Sequence, residues 1–293
     1  VTIGGADSFY SKQNDDIMKT LKIFLALVAT CLLSSCAVSD TMANNNEAAN
    51  GTVVAASGET NVFEGEPLTA NTKFDAVSVF NGIDLYFTAS DKIQYKIEAS
   101  QKVLPYVKVK VDGSELLVYI DKGKSKVKID ENVVVRVSGP VPAKISAFNT
   151  SSFVCGAPLV MKNLEVQCWN EASVKLVGKV DVNKASVEAY NNGEVSIGGV
   201  VRATSLTLSS WNKGAIKLSQ KANVGKANLT AWNDGTVSVP KAEAAQANGE
   251  AYNNGRIVLG GKFGSCNIDT FNGGKVEHAG LKVQKGDNYL PPL

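Results

Sequence analysis

The feature that most constrains this fold is an aromatic–asparagine pair that recurs along the chain with a nearly constant period. The pairs run from Phe148-Asn149 to Phe271-Asn272, and successive asparagines are 21, 21, 21, 21, 20 and 19 residues apart. A period of this length is typical of a solenoid, in which each repeat stacks on its neighbours to bury a continuous core.

Apolar residues stand at fixed offsets from each asparagine. The residue four positions after it is Phe, Val or Ile in every repeat, and the residue six positions after it is apolar in the first six repeats. A spacing of two with many β-branched residues indicates strands with one buried face. A third apolar group, which includes Val180 and Val201, falls between these runs. We therefore predict an all-β fold, a single-stranded right-handed parallel β-helix with three short strands in each coil of about 21 residues.

The asparagines are predicted to form a polar ladder along one corner. Identical amides in a column can hydrogen-bond to the coils above and below. Five of the repeats read Asn-x-Gly, and we expect the glycine to supply the left-handed backbone conformation of a tight turn. The predicted ladder consists of Asn149, Asn170, Asn191, Asn212, Asn233, Asn253 and Asn272.

The aromatic residues are predicted to point outward, because the residue before each of them is small and shares the parity of the inward positions. Two hypotheses follow for this stripe. The rings either offer an apolar face to a sugar or a protein partner, or they stack on one another and stabilise the corner. The candidate binding stripe consists of Phe148, Trp169, Tyr190, Trp211, Trp232, Tyr252 and Phe271.

The N-terminal segment has the pattern of a secretory signal. A basic start at Met18 precedes the apolar stretch Ile23–Leu33, which is too short to span a bilayer. Leu33-Ser34-Ser35-Cys36 resembles a lipobox, and the resemblance implies that Cys36 becomes the lipidated N-terminus of the mature chain. We interpret 1–17 as a misassigned upstream extension and 18–35 as a lipoprotein signal peptide.

Four further segments are expected after the signal. Residues 36–70 are poor in large apolar side chains and are predicted to be a flexible tether. Residues 71–142 are predicted to be an N-terminal β region that caps the solenoid, with a hairpin at Asp112-Gly113. The parallel β-helix is assigned to 143–285 and a C-terminal tail to 286–293.

Composition argues against several functions. The net charge of +2 does not favour a nucleic-acid partner. The single histidine, His278, disfavours a Ser-His-Asp or Cys-His catalytic site and a zinc site, so neither metal nor cofactor is predicted. Cys155, Cys168 and Cys266 are predicted to be buried thiols, with a Cys155–Cys168 bridge as the alternative.

A cluster of carboxylates would be needed for a polysaccharide-active enzyme. Glu171, Glu188 and Glu194 come nearest to one, but their positions in the repeat differ. We interpret them as scattered surface charge.

The stretch Phe74–Phe87 resembles the opening of the family named "putative auto-transporter adhesin, head GIN domain". So do the strand pattern Ile93–Ile97, the segment Asp112–Val118 and the repeated turns, and the resemblance covers Phe74 to Leu281. It implies a β-helical body, a lipid-anchored or secreted protein of Bacteroidetes-type bacteria, and adhesion by name. It carries over no catalytic residue. The family's repeats usually have a Ser-Gly-Ala-like turn where this chain has aromatic-Asn-x-Gly, so the stripe is interpreted as a local specialisation.

We therefore expect a non-catalytic, lipid-anchored protein of the outer membrane, on its cell-surface or periplasmic face. It would act as an adhesin or a glycan- or partner-binding rod. The alternative is a periplasm-facing structural or envelope-stress component, and a polysaccharide-active β-helix enzyme is a distant third. An earlier match to the repeat, Phe80-Asn81, is predicted to begin a first coil that is followed by an insertion.

Overall fold

The structure, a computed structural model, describes residues 51–55, 61–65, 73–123, 129 and 131–283. The predicted upstream extension, the signal peptide, Cys36 and the tail 286–293 lie outside the described residues. All the described strands belong to one compact unit of the chain.

The described residues form twenty strands and one short 3₁₀ helix, Leu104–Tyr106. None of them forms a helix with the length and hydropathy needed to cross a membrane. The first eight strands are β1 (Gly51–Ala55), β2 (Asn61–Gly65), β3 (Ala76–Phe80), β4 (Ile83–Ala89), β5 (Gln94–Ala99), β6 (Val107–Asp112), β7 (Glu115–Ile120) and β8 (Val133–Gly139). The coil strands are β9 (Lys144–Phe148), β10 (Ser152–Cys155), β11 (Leu159–Trp169), β12 (Ser173–Leu176), β13 (Val180–Tyr190), β14 (Glu194–Ile197), β15 (Val201–Trp211), β16 (Ala215–Leu218), β17 (Ala222–Trp232), β18 (Thr236–Tyr252), β19 (Arg256–Phe271) and β20 (Lys275–Val283).

The coils stack as a parallel β-solenoid of about six turns, each of about 21 residues, and this confirms the predicted architecture. A long strand of 11 residues and a short strand of four alternate along the central coils. Each pairs in parallel with its counterpart one period later, so that Val187 lies beside Leu208 and Val195 beside Ile216. The sequence period is therefore the register of the sheet.

Two of the three predicted strands of each coil are joined end to end into the long strand. In the β13–β15 ladder the pairing skips Asn183. Burial changes phase at the same place: Val182 and Ala185 are buried, while Asn183 and Lys184 between them are exposed. The chain turns at a bend of one residue, and strand pairing resumes directly after it. A period-two sequence pattern does not distinguish such a bend from the end of a strand.

The interior is a set of apolar columns that run along the stack. Val166, Val187 and Leu208 form one column, with at most 1% of each side chain exposed. Full burial of a Val or Leu side chain stabilises a fold by roughly 1.5–3 kcal/mol. Because each coil adds such residues to every column, hydrophobic burial favours stacking over any isolated coil.

The N-terminal part begins with the predicted first coil. β3 pairs in parallel with β9, which places Phe80 beside Phe148, and β4 pairs in parallel with β10. On their other edges β3 and β4 pair with β7 and β8. The predicted hairpin joins β6 and β7, and Gly113 at its turn has φ +61°. These strands cover the edges of the first coil, which would otherwise be open to association.

Two stretches within 36–70, the segment predicted to be a flexible tether, form strands. β1 and β2 pair with each other in antiparallel fashion, and β2 extends the sheet beside β5. The physical reason is local composition: the stretches contain Val53, Val54, Val62 and Phe63, which favour strands, within a segment that is otherwise small and polar.

Candidate binding edge

The repeated corner is a turn with two successive residues in the left-handed conformation. Asn191 has φ 51° and Asn192 has φ 63°, and the N–H of Gly193 donates to the carbonyl of Tyr190 at 2.9 Å. Positive φ at both central residues is the requirement of a type I′ turn. The ladder asparagines from Asn149 to Asn272 all have φ between 47° and 55°. Asparagine suits this position because it tolerates the left-handed region better than other residues with a Cβ.

The predicted role of the glycine in this turn is wrong. The third residue of Asn-x-Gly lacks the positive φ that its two predecessors share. What it needs is space: a Cβ on Gly193 would lie 2.5 Å from the carbonyl oxygen of Cys168 in the preceding coil. The equivalent distances in the other four Asn-x-Gly turns are 1.9 to 2.5 Å. Ala172 occupies this place in an earlier coil and is buried there, so the close approach varies along the stack.

The asparagine side chains form a hydrogen-bonded ladder along the corner. The Nδ2 group of Asn191 donates to Oδ1 of Asn170 at 3.0 Å, and the same bond recurs at every step from Asn81 to Asn253 with lengths of 2.9 to 3.1 Å. The structure thus joins six of the seven predicted asparagines and adds Asn81. Asn272 takes part through its backbone, where its carbonyl accepts from the N–H of Asn254.

The aromatic side chains lie beside this ladder and stack face to face. Trp169 and Tyr190 are 4.0 Å apart between ring centroids, and the next three pairs are 6.1, 4.9 and 4.6 Å apart with interplanar angles of 15° to 25°. Phe80 stacks on Phe148 at 4.8 Å and so extends the stripe by one ring that the predicted set lacks. Phe271, at the other end, is tilted and 37% exposed.

Stacking determines what the stripe can offer to a ligand. Each inner ring covers the faces of its neighbours, so its exposed part is its edge, and a flat surface of ring faces is not formed. A stacked aromatic pair contributes about 0.5–1.5 kcal/mol beyond the burial of its area. The Nε1 atoms of Trp211 and Trp232 are buried and have no hydrogen-bond partner among the described residues. They are therefore not positioned to donate to a ligand at the surface.

Glu188 and Tyr190 form a polar pair next to the stripe. Burial raises the pKa of both side chains, and the hydrogen bond between them further raises the pKa of Tyr190. The Nε2 group of Gln167 donates to Glu188 at 3.5 Å. Glu171 lies in a corner turn and Glu194 begins the short strand β14, so the structure does not bring the three glutamates of the sequence analysis together.

Among the described residues, Cys155, Cys168 and Cys266 are buried free thiols, as predicted, and the alternative Cys155–Cys168 bridge is not formed. The Sγ of Cys168 lies 2.9 Å from the carbonyl of Ala172, and burial raises the pKa of this thiol to about 12. Such a thiol is unreactive at neutral pH because the nucleophilic thiolate is not populated.

His278 lies in the last coil, in the inward column that Leu259 occupies one coil earlier. Its Nδ1 atom is buried without a hydrogen-bond partner among the described residues. His278 is half-buried because the equivalent position in each preceding coil holds an inward-pointing apolar residue.

These features define a class of protein, a parallel β-solenoid in which one corner is built by an asparagine ladder and an aromatic stack. Residues 73–213 match the model of the family described as "Putative auto-transporter adhesin, head GIN domain". The coils beyond residue 213 continue the parallel pairing to Val283, with register shifts between Val239 and Ala242 and between Leu259 and Gly261.

Solved structures share this fold. A "putative adhesin" from Parabacteroides merdae is 18% identical, with a TM-score of 0.56 over 79% of this chain and 99% of that one. A "putative lipid binding protein" from Parabacteroides distasonis is 15% identical, with a TM-score of 0.53 over 79% and 99% of the two chains. A "putative adhesin" from Bacteroides fragilis is 16% identical, with a TM-score of 0.54 over 78% and 98%. At these identities the likeness concerns the fold alone. No curated protein sequence matches the chain.

Proposed function

We propose that the protein is a non-catalytic, lipid-anchored adhesin of the cell envelope, which binds a glycan or protein partner along the side of its solenoid. The observation that carries the proposal is the head GIN domain match over residues 73–213, followed by further coils that extend the parallel stack. A stack of identical coils repeats each outward side chain position at about 4.8 Å, and solenoids use such extended surfaces for binding.

In this proposal the aromatic stripe supports the corner and is not the contact surface. The face-to-face stacking of Trp211 on Trp232 and of Trp232 on Tyr252 supports this assignment, because the ring faces that a sugar would need are already covered. Sugar rings packing on the stripe would have to use ring edges or the more exposed Phe271.

The lipid anchor is proposed at Cys36 from the lipobox-like Leu33-Ser34-Ser35-Cys36. In cells fed an alkyne fatty acid, we expect the full-length chain to become labelled and Cys36→Ala to lose the label. Cys31→Ala is the matched control, because Cys31 belongs to the predicted signal peptide and would leave with it. Label that persists in Cys36→Ala would refute the anchor.

Protease treatment of intact cells tests the orientation. An adhesin on the cell surface should be digested while a periplasmic marker protein stays intact. If the chain is digested only after the outer membrane is permeabilised, a periplasm-facing structural role replaces adhesion.

Adhesion itself is tested with a deletion strain complemented by the full-length chain or by Cys36→Ala. Attachment of cells to immobilised glycans or host surfaces should fall on deletion and return only with the anchored chain. Equal attachment by all strains would contradict the proposal.

A further inference from the structure

One side of the solenoid carries an excess of exposed basic side chains. This side, here called the basic face, comprises the first three residues of each long strand, the bend and the residues that flank them. Its exposed basic residues are Lys162, Lys179, Lys184, Arg202, Lys221, Lys226, Lys241 and Lys262. Its acidic residues are Asp181 and Glu243.

The strand register brings these residues into neighbouring columns. Arg202 lies directly beside Asp181 in the next coil. Glu243 and Lys262 continue the same column two and three coils further on. The basic side chains therefore cover successive coils of one surface, although they are spread over about 100 residues of sequence.

The charge of the basic face is much larger than the charge of the chain. Among the side chains that the structure describes, eight basic and two acidic residues leave six positive charges on this face, whereas the whole chain has a net charge of +2. Arg202 pairs with Asp181 at 3.8 Å and Lys221 pairs with Glu243 at 2.9 Å. The hydrogen bond from Lys221 lowers the pKa of Glu243, so this carboxylate is ionised and neutralises only part of the surrounding charge. A face of one sign attracts a ligand of the opposite sign.

A shallow groove crosses three consecutive coils on this face. Its floor includes the small residues Ala245 and Gly264 at the bend, and the charged side chains that line it are Lys221, Glu243 and Lys262. A Cβ on Gly264 would lie 2.5 Å from the carbonyl oxygen of Ala245 in the preceding coil. Because the coils stack so closely, no side chain fits at this position, and the groove stays open there.

We propose that the basic face, including this groove, binds an anionic polysaccharide, one that carries carboxylate or sulfate groups along a repeating chain. The inference rests on the proposed function and names the class of its ligand. Lys184 and Lys226 stand in one column two coils apart, a separation of about 10 Å, and such a repeat suits a polymer in which every second sugar is charged. Seven of the eight basic residues are lysines, which act as point charges.

A nucleic acid fits the groove less well. Single-stranded nucleic acids are bound by combining basic side chains with aromatic rings on which the bases stack. The one aromatic residue that lines the groove, Phe263, is 1% exposed and cannot serve as such a platform.

The test uses the full-length chain with Cys36→Ala, purified, and heparin as the sulfated, uronate-bearing probe, with dextran as the neutral probe. The basic-face variant, called the groove variant, combines Lys221→Gln and Lys262→Gln, which line the groove, with Lys184→Gln and Lys226→Gln elsewhere on the basic face. The control variant makes the same charge change at exposed lysines on other surfaces, with Lys175→Gln, Lys213→Gln, Lys217→Gln and Lys275→Gln. We expect heparin affinity to fall at least about tenfold in the groove variant and to change less than about threefold in the control. Binding should also weaken steeply with added salt.

Several results would overturn the inference. The first is an equal loss of heparin affinity in both variants, and the second is dextran binding as tight as heparin binding. The third is groove-dependent binding that is tighter to anionic phosphatidylglycerol vesicles or to single-stranded DNA than to heparin. Unfolding midpoints of both variants are measured first. If the midpoint of the groove variant is lower than that of the unsubstituted chain, the double variant Lys184→Gln/Lys226→Gln replaces it.

Cell attachment measured with the same variants separates this inference from the proposed function. Attachment that needs the anchored chain but not the groove lysines would refute the groove and leave the adhesin. Attachment that does not need the chain would refute the adhesin, whatever the purified protein binds.

Discussion

The asparagine ladder makes a quantitative prediction at Asn212, in the middle of the stack. Its Nδ2 group donates to Asn191 at 3.0 Å, its Oδ1 atom accepts from Asn233 at 2.9 Å, and its backbone φ is 50°. Asn212→Gly removes both side-chain bonds but accepts the left-handed backbone. Because the ladder is exposed and water can replace the partners, each bond contributes at the low end of its range, and the expected loss of unfolding free energy is about 1 kcal/mol.

Asn212→Ala removes the same two bonds and also forces a Cβ-bearing residue without a polar side chain into the left-handed region. That conformation costs about 1–2 kcal/mol more, so the expected total is about 2–3 kcal/mol. The assay is chemical unfolding of the full-length chain followed by far-UV circular dichroism. Asn228→Ala is the control, since Asn228 lies in strand β17 without a positive φ. The prediction is contradicted if Asn212→Ala is at least as stable as Asn212→Gly, or if Asn228→Ala loses as much unfolding free energy as either variant.

Three further predictions concern the same corner. Gly235→Ala should cost about 1–3 kcal/mol of unfolding free energy, because the new Cβ would lie 2.5 Å from the carbonyl oxygen of Ser210; an unchanged unfolding midpoint would contradict this. Trp211→Ala/Trp232→Ala should lower the unfolding free energy by about 2 kcal/mol or more through the loss of three stacked pairs, while heparin affinity stays within about twofold. A loss of heparin affinity without a loss of stability would show that the aromatic stripe is a binding site. The Cys168 thiol, whose pKa is raised to about 12, should react with a thiol reagent in denaturant but not in the native chain at about pH 9, and a fast reaction of the native chain would contradict its burial. The contribution of this thiol to the unfolding free energy is present below its unfolded pKa and is lost as the pH rises toward 12.

The period predicted the stack and the ladder because both depend on residue identity at a fixed spacing. Once Trp169-Asn170 and Tyr190-Asn191 are one coil apart, apolar positions fall into columns, and parallel register follows. The same argument placed Phe80-Asn81 in a first coil across an insertion, and the pairing of β3 with β9 confirms it.

What the sequence did not predict depends on distances between coils. The glycine of Asn-x-Gly was assigned to the wrong physical role because a motif does not show that the carbonyl of Cys168 approaches Gly193. The stacking of ring faces also depends on side-chain orientation, which parity alone does not determine.

The basic face was missed for a different reason. Total charge averages over all surfaces, and the value of +2 conceals a face with six excess positive charges. The signal was present in the repeat, since aligning the period places Lys184 and Lys226 in one column. Columns of outward residues therefore carry functional information that composition discards.

A crystal structure of the full-length chain tests the central claim most directly, because the ladder and the basic face both require coils stacked in register. We expect Nδ2–Oδ1 distances near 3.0 Å from Asn170 to Asn191 and from Asn191 to Asn212. Asparagines one period apart that lie beyond contact with each other would contradict this expectation.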